Sequence, residues 1–151
     1  MLRSTAGTLE SQIGEVIAIA SEHDDAAGTA RGPNTIFAFD LDGIRVAHFG
    51  DFGQGALRPE QAAALEGIDL LFLPIGGGPT VGAGAAAQIV ETLEPRWVVP
   101  MHYRTHRIGF LEPEEEFVSS MPRVERTGES FFDTDQLPEG EGALVVVPAA
   151  P

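Results

Sequence analysis

The dipeptide Asp42-Gly43, set between the apolar stretches of "AFDLDGIRVAHF", constrains this chain more than any other feature. Two residues that tolerate positive φ, flanked by strand-like runs, specify a tight hairpin and therefore two adjacent antiparallel strands. Further along, apolar runs alternate with helical patterns, which makes strand–helix–strand units. Strands are expected at Glu15–Ser21, Thr35–Asp40, Ile44–Phe49, Leu70–Pro74, Trp97–Pro100 and Ala143–Val147. Helices are expected at Pro59–Glu66, with proline in the first turn, at the alanine-rich Ala83–Leu93, which stops before Pro95, and at Glu112–Ser119. The fold class that follows is α/β with a mixed sheet, in one domain over residues 1–151. Residues 1–13 carry no pattern and are expected to be irregular, leaving one sheet edge uncovered; residues 148–151 are expected to fray.

Composition narrows the function classes. A formal charge of −14 argues against nucleic acid, where affinity is driven by basic side chains on phosphates. All nine basic residues are arginine, so Schiff-base chemistry and a P-loop lysine are excluded. There is no cysteine, hence no disulfide and no thiolate metal site. No apolar run reaches eighteen residues and the N-terminus lacks an apolar signal core, so no membrane span and a cytoplasmic location are expected.

Three polar clusters fall in equivalent places, each just past an apolar strand. His23-Asp24-Asp25 follows "VIAIAS", Gly50-Asp51 follows "IRVAHF", and His102 follows "RWVVPM". Ligands of α/β sheets gather beyond the carboxyl ends of strands, so three such placements converge on one candidate site. Two imidazoles and a carboxylate suit zinc or iron. "LPIGGGPTVGAGAAAQIV" joins a strand, a glycine loop and a helix, which outwardly suits phosphate. It has no lysine, and Gly82-x-Gly84-x-x-Ala87 meets a dinucleotide fingerprint only from inside the helical pattern, so a loop lining the metal cleft is the better reading.

Taken in order, "HDDAAGTARGPNTIF", "DGIRVAHFGDFG", "DLLFLPIGGGPT" and "PRWVVPMHYRT" resemble the metallo-β-lactamase-fold hydrolases. The closest likeness is to small bacterial metal-dependent hydrolases related to L-ascorbate-6-phosphate lactonase, and it covers Gly14 to Thr105. The resemblance implies an αββα sandwich and a small-molecule substrate hydrolysed with zinc, or alternatively manganese. It implies His23, Asp51 and His102 as metal ligands, with Asp51 the bridging, catalytic carboxylate. Around them it implies Asp24, Asp25, Arg31 and Asn34 as shapers of the ligand loop, and His48 as a core or ligand-supporting histidine. Gly76, Gly77, Gly78 and Tyr103 would border the substrate. The family's His-x-His-x-Asp-His run is absent. The chain therefore resembles the C-terminal portion of that fold, truncated at its N-terminal half. It is expected to bind metal weakly alone, to be weak or inactive in isolation, and to form a homodimer over exposed sheet surface. Two other readings stay open: a non-catalytic interaction domain without metals, and a phosphate- or nucleotide-binding module.

Overall fold

Asp42 and Gly43 adopt φ of 51° and 83°, the pair of positive values a two-residue hairpin needs, and Leu41 pairs with Ile44 across the turn. This hairpin links β3 (Pro33–Leu41) to β4 (Ile44–His48). The computed structural model describes residues 6–149. The N-terminal side adds β1 (Gly7–Ser11) and β2 (Gly14–Glu22), antiparallel to each other, with β2 also antiparallel to β3. The rest follows a parallel plan: α1 (Pro59–Ala64), β5 (Leu70–Pro74), α2 (Ala83–Leu93), β6 (Trp97–Met101), α3 (Glu115–Val118), β7 (Arg123–Arg126) and β8 (Leu144–Val147). The eight strands form one mixed sheet in the order β1-β2-β3-β4-β5-β6-β8-β7.

Side-chain alternation divides the sheet into two faces. Ile36, Ala47, Leu71, Leu73, Val98 and Val145 point to one face and pack with Ile89 of α2 and Phe117 of α3. Val46, Leu70, Trp97, Val99, Leu144 and Val146 point to the other, where Phe132 and Leu137 of the loop before β8 cover them. Burial on both faces is why β5, β6 and β8 read as continuous apolar runs.

The structure corrects several expectations. Residues 7–11 are not irregular: they form the edge strand β1, whose turn is held by Ser11 Oγ donating to Gly14 O at 2.9 Å. β7 was not expected, because Arg-Val-Glu-Arg offers a single apolar residue. Helix α1 ends at Ala64, two residues early. Glu112 is not helical either, since its N–H donates to Gly76 O at 2.9 Å and Pro113 follows, so α3 starts only at Glu115. Ala149 is tied down through its N–H to Glu129 O at 2.9 Å; the rest of the expected tail, 150–151, and residues 1–5 lie outside the described residues.

Candidate metal centre

Because β2, β4, β5 and β6 run the same way, their carboxyl ends share one edge of the sheet. That edge carries His23 after β2, Asp51 after β4, Gly76 to Gly78 after β5 and His102 after β6. β3 runs in the opposite sense, so Asn34 near its start lies there too. Its Nδ2 donates to Ser21 Oγ and to Phe49 O, both at 2.8 Å, and its Oδ1 accepts the Asp51 N–H at 3.1 Å. Asn34 thus joins the ends of β2 and β4 and fixes the backbone of Asp51. Gly50 makes this possible, with φ 58° and its absent Cβ only 2.7 Å from Asn34 Oδ1.

The loop after β2 is wound around Asp24. Its Oδ1 accepts the N–H groups of Ala26 and Gly28, each at 2.8 Å, and its Oδ2 those of Ala30 at 3.1 Å and Arg31 at 2.6 Å. These bonds, the Arg31 N–H foremost, hold the Asp24 carboxyl below the ordinary carboxylate range against the opposing effect of desolvation. Arg31 contributes here through its backbone while its side chain is exposed. Asp25 Oδ1 accepts the Gly55 N–H at 3.0 Å, and the Gly53 N–H donates to Glu22 O at 2.9 Å. A Cβ at Gly53 would stand 2.5 Å from the His23 carbonyl carbon, so the loops bearing His23 and Asp51 touch backbone to backbone.

His102 has a left-handed backbone, φ 54°, uncommon without glycine. Its ring Nε2 lies 3.8 Å from Asp51 Oδ1. Two metal–ligand bonds of about 2 Å span at most about 4 Å, so this pair fits one divalent cation. His23 is half-buried, and its Nε2 is enclosed with no hydrogen-bond partner among the described residues. Such an orphan costs about 1–3 kcal/mol, which a metal bond would offset. Among the described residues, however, no three His, Asp or Glu side chains stand close enough to hold a metal together. The donor types fit zinc, and Asp51 and His102 are brought together; His23 is not closed into one cluster with them.

The remaining expected residues divide. His48 is exposed at the end of β4 and is not a core histidine; its Nδ1 accepts the Gly50 N–H at 3.1 Å and its ring stacks on Phe72 at 5.8 Å. Its pKa is lowered by desolvation, against the pull of Asp51. Tyr103 packs against the helix-side core, and burial, then Glu114, raises the pKa of its phenol. Gly76 and Gly77 are buried and Gly78 is exposed. Two residues went unnoticed in the sequence. The Thr80 hydroxyl lies 3.5 Å from His102 Nδ1. The carboxylate of Glu112 sits 2.5 Å from where Gly77 would carry a Cβ and 3.2 Å from that point at Gly82, the cap of α2. A carboxylate of the chain itself thus lies against the glycine loop near the start of α2. A groove of about 1330 Å³ lies elsewhere, at the opposite sheet edge between Asp42, Trp97, Arg123 and Ala143.

The mixed sheet, with an imidazole and a carboxylate facing each other at its carboxyl edge, has relatives among known proteins. Residues 4–102 match the family model described as a beta-lactamase superfamily domain, and the chain belongs to the metallo-β-lactamase superfamily. It is 37% identical over 105 residues to a UPF0173 metal-dependent hydrolase of Thermococcus onnurineus, covering 67% of this chain and 46% of the relative. A second UPF0173 metal-dependent hydrolase, from Methanosarcina mazei, is 38% identical over 103 residues, 65% of this chain and 43% of the relative. The chain therefore spans less than half the length of these relatives. Its fold is similar to a Thermotoga maritima crystal structure described as a Zn-dependent hydrolase of the same superfamily. The TM-score is 0.75 and the identity 27%, covering 96% of this chain and 71% of the other. No helix among the described residues is long and apolar enough to cross a membrane.

Proposed function

We propose that this chain supplies one side of the metal centre of a cytoplasmic hydrolase that cleaves an ester, lactone, amide or phosphodiester in a small molecule. The observation that carries the reading is the 3.8 Å approach of His102 Nε2 to Asp51 Oδ1 at the carboxyl edge of a superfamily sheet. Asp51 and His102 would hold the metal, zinc or alternatively manganese, with His23 as a further donor. When bound, the metal would supply Lewis-acid polarisation of the substrate and acidification of water. The chain's own part is to hold the donors in place. Asn34 fixes the backbone of Asp51, Asp24 and Asp25 fix the loop behind His23, and the Gly76–Gly78 loop, with Glu112 lying on Gly77, would border the substrate. Further ligands must come from outside the described cluster, so activity of the isolated chain should be low.

Self-association belongs to the same proposal. Phe37, His48 and Phe72 stand in register across β3, β4 and β5, on the face opposite the helices, and none is fully buried. An uncharged aromatic row of this kind, in a chain of charge −14, suits the two-fold pairing of two sheets.

Turnover of p-nitrophenyl acetate and bis-p-nitrophenyl phosphate, with and without zinc or manganese, tests the catalytic reading. Low, metal-dependent turnover that vanishes in Asp51→Asn is expected. Absence of metal-dependent turnover above background, or equal rates in both proteins, would favour a non-catalytic interaction domain.

A further inference from the structure

Thr80 lies at the foot of the glycine loop, only 7% exposed. Its N–H donates to Gly77 O at 3.0 Å, and its hydroxyl donates to the same carbonyl at 3.3 Å. The hydroxyl oxygen also stands 3.5 Å from His102 Nδ1, at the long end of the hydrogen-bond range. A hydroxyl has one proton and two lone pairs, and a carbonyl only accepts. With its proton directed to Gly77, the Thr80 oxygen presents a lone pair to Nδ1, an arrangement that favours the ring proton on Nδ1. A neutral imidazole carries one ring proton, which leaves Nε2 with a free lone pair. Nε2 is the atom facing Asp51, at 3.8 Å, too far for a hydrogen bond that would keep a proton there.

We propose that Thr80 is a positioning residue that holds neutral His102 in its Nδ1–H form, with the Nε2 lone pair directed at the space beside Asp51. Three restraints converge on this one ring. The Ile75 N–H bonds Met101 O at 3.1 Å, and Gly76 approaches so closely that a Cβ there would lie 2.1 Å from His102 O. Together they hold the backbone in its left-handed turn. Thr80, β-branched and therefore stiff at χ1, then fixes the ring itself. Outer partners of this kind are commonly worth about 10–100-fold in metal affinity. The metal consequence rests on the proposed function, but the tautomer is a property of the chain without metal.

Multiple-bond proton–nitrogen correlation on the ¹⁵N-labelled, metal-free chain, at a pH where imidazoles are neutral, reads the tautomer of each histidine. Exposed His106 serves as the solvent-like reference. The expected result is Nδ1–H for His102 in the parent chain and in Thr80→Ser, with a shift toward the His106 pattern in Thr80→Val. An Nε2–H His102 in the parent, or an unchanged spectrum in Thr80→Val, overturns the proposal. Zinc affinity should fall about 10–100-fold in Thr80→Val and stay near parental in Thr80→Ser. If the parent binds no zinc, the metal-centre reading fails while the tautomer still judges Thr80. If Thr80→Val does not fold, the parent and Thr80→Ser spectra decide.

Discussion

Replacing Gly76 with alanine should disturb the fold and the candidate centre together, and by an amount the geometry sets. The added Cβ would meet His102 O at 2.1 Å and Tyr103 Cα at 2.9 Å. Ordinary contact needs roughly 3.4 Å, so about 1 Å must be given up between two strand ends that are sewn on both sides of the clash. On one side the Ile75 N–H bonds Met101 O, and on the other the Glu112 N–H bonds Gly76 O. Overpacking of this kind costs about 1–3 kcal/mol. Alanine also restricts the unfolded chain, which offsets about 0.4–1 kcal/mol where the backbone conformation is compatible. A net loss of about 1–2 kcal/mol lowers the melting temperature by about 2–8 °C for a domain of this size. Gly84→Ala is the control. It lies in the first turn of α2 with nothing within 4 Å of its Cβ position, and should gain about 0.5–1 kcal/mol. Thermal unfolding followed by circular dichroism reads both variants. A Gly76→Ala protein that melts at or above the parent would refute the claim that β5 and β6 are clamped at this edge.

Two further predictions concern the ligand loop and assembly. Asp24→Asn should melt below the parent at pH 7, because an amide cannot accept four backbone N–H groups. The folded-state pKa of Asp24 is lowered, so its contribution is present above the unfolded value near 3.8 and is lost as pH falls through the folded one; the gap between the two proteins should therefore close on acidification below that range. Sedimentation at micromolar concentration should give a dimer that Phe37→Glu dissociates, and a cooperatively folding monomer near 16.0 kDa would contradict the proposed sheet pairing.

The readable parts of the sequence were those where local chemistry and burial agree. Asp42-Gly43 announced its hairpin because only positive φ closes a two-residue turn. α2 matched from Ala83 to Leu93, since alanine favours the helix and Pro95 limits it. β1 and β7 were illegible for the same physical reason as each other: edge strands bury little, so Gly7–Ser11 and Arg123–Arg126 lack an apolar alternation to read. At the candidate centre, positions were legible and connections were not. Apolar runs ending at His23, Asp51 and His102 placed all three on one edge. That Asn34 would bridge β2 to β4, that Thr80 would reach His102, and that Glu112 would lie on Gly77 depends on contacts 17, 22 and 35 residues apart, which no local pattern encodes.

Calorimetric zinc titration of the parent chain, Asp51→Asn, His102→Ala and His106→Ala tests the central claim most directly. The account predicts weak binding, below one tightly held zinc per chain. Affinity should fall at least about tenfold in Asp51→Asn and His102→Ala and stay unchanged in His106→Ala, whose ring is exposed on the loop beyond β6. Zinc binding that survives both site substitutions, or two tightly bound zincs in a monomer with no partner chain, would contradict it.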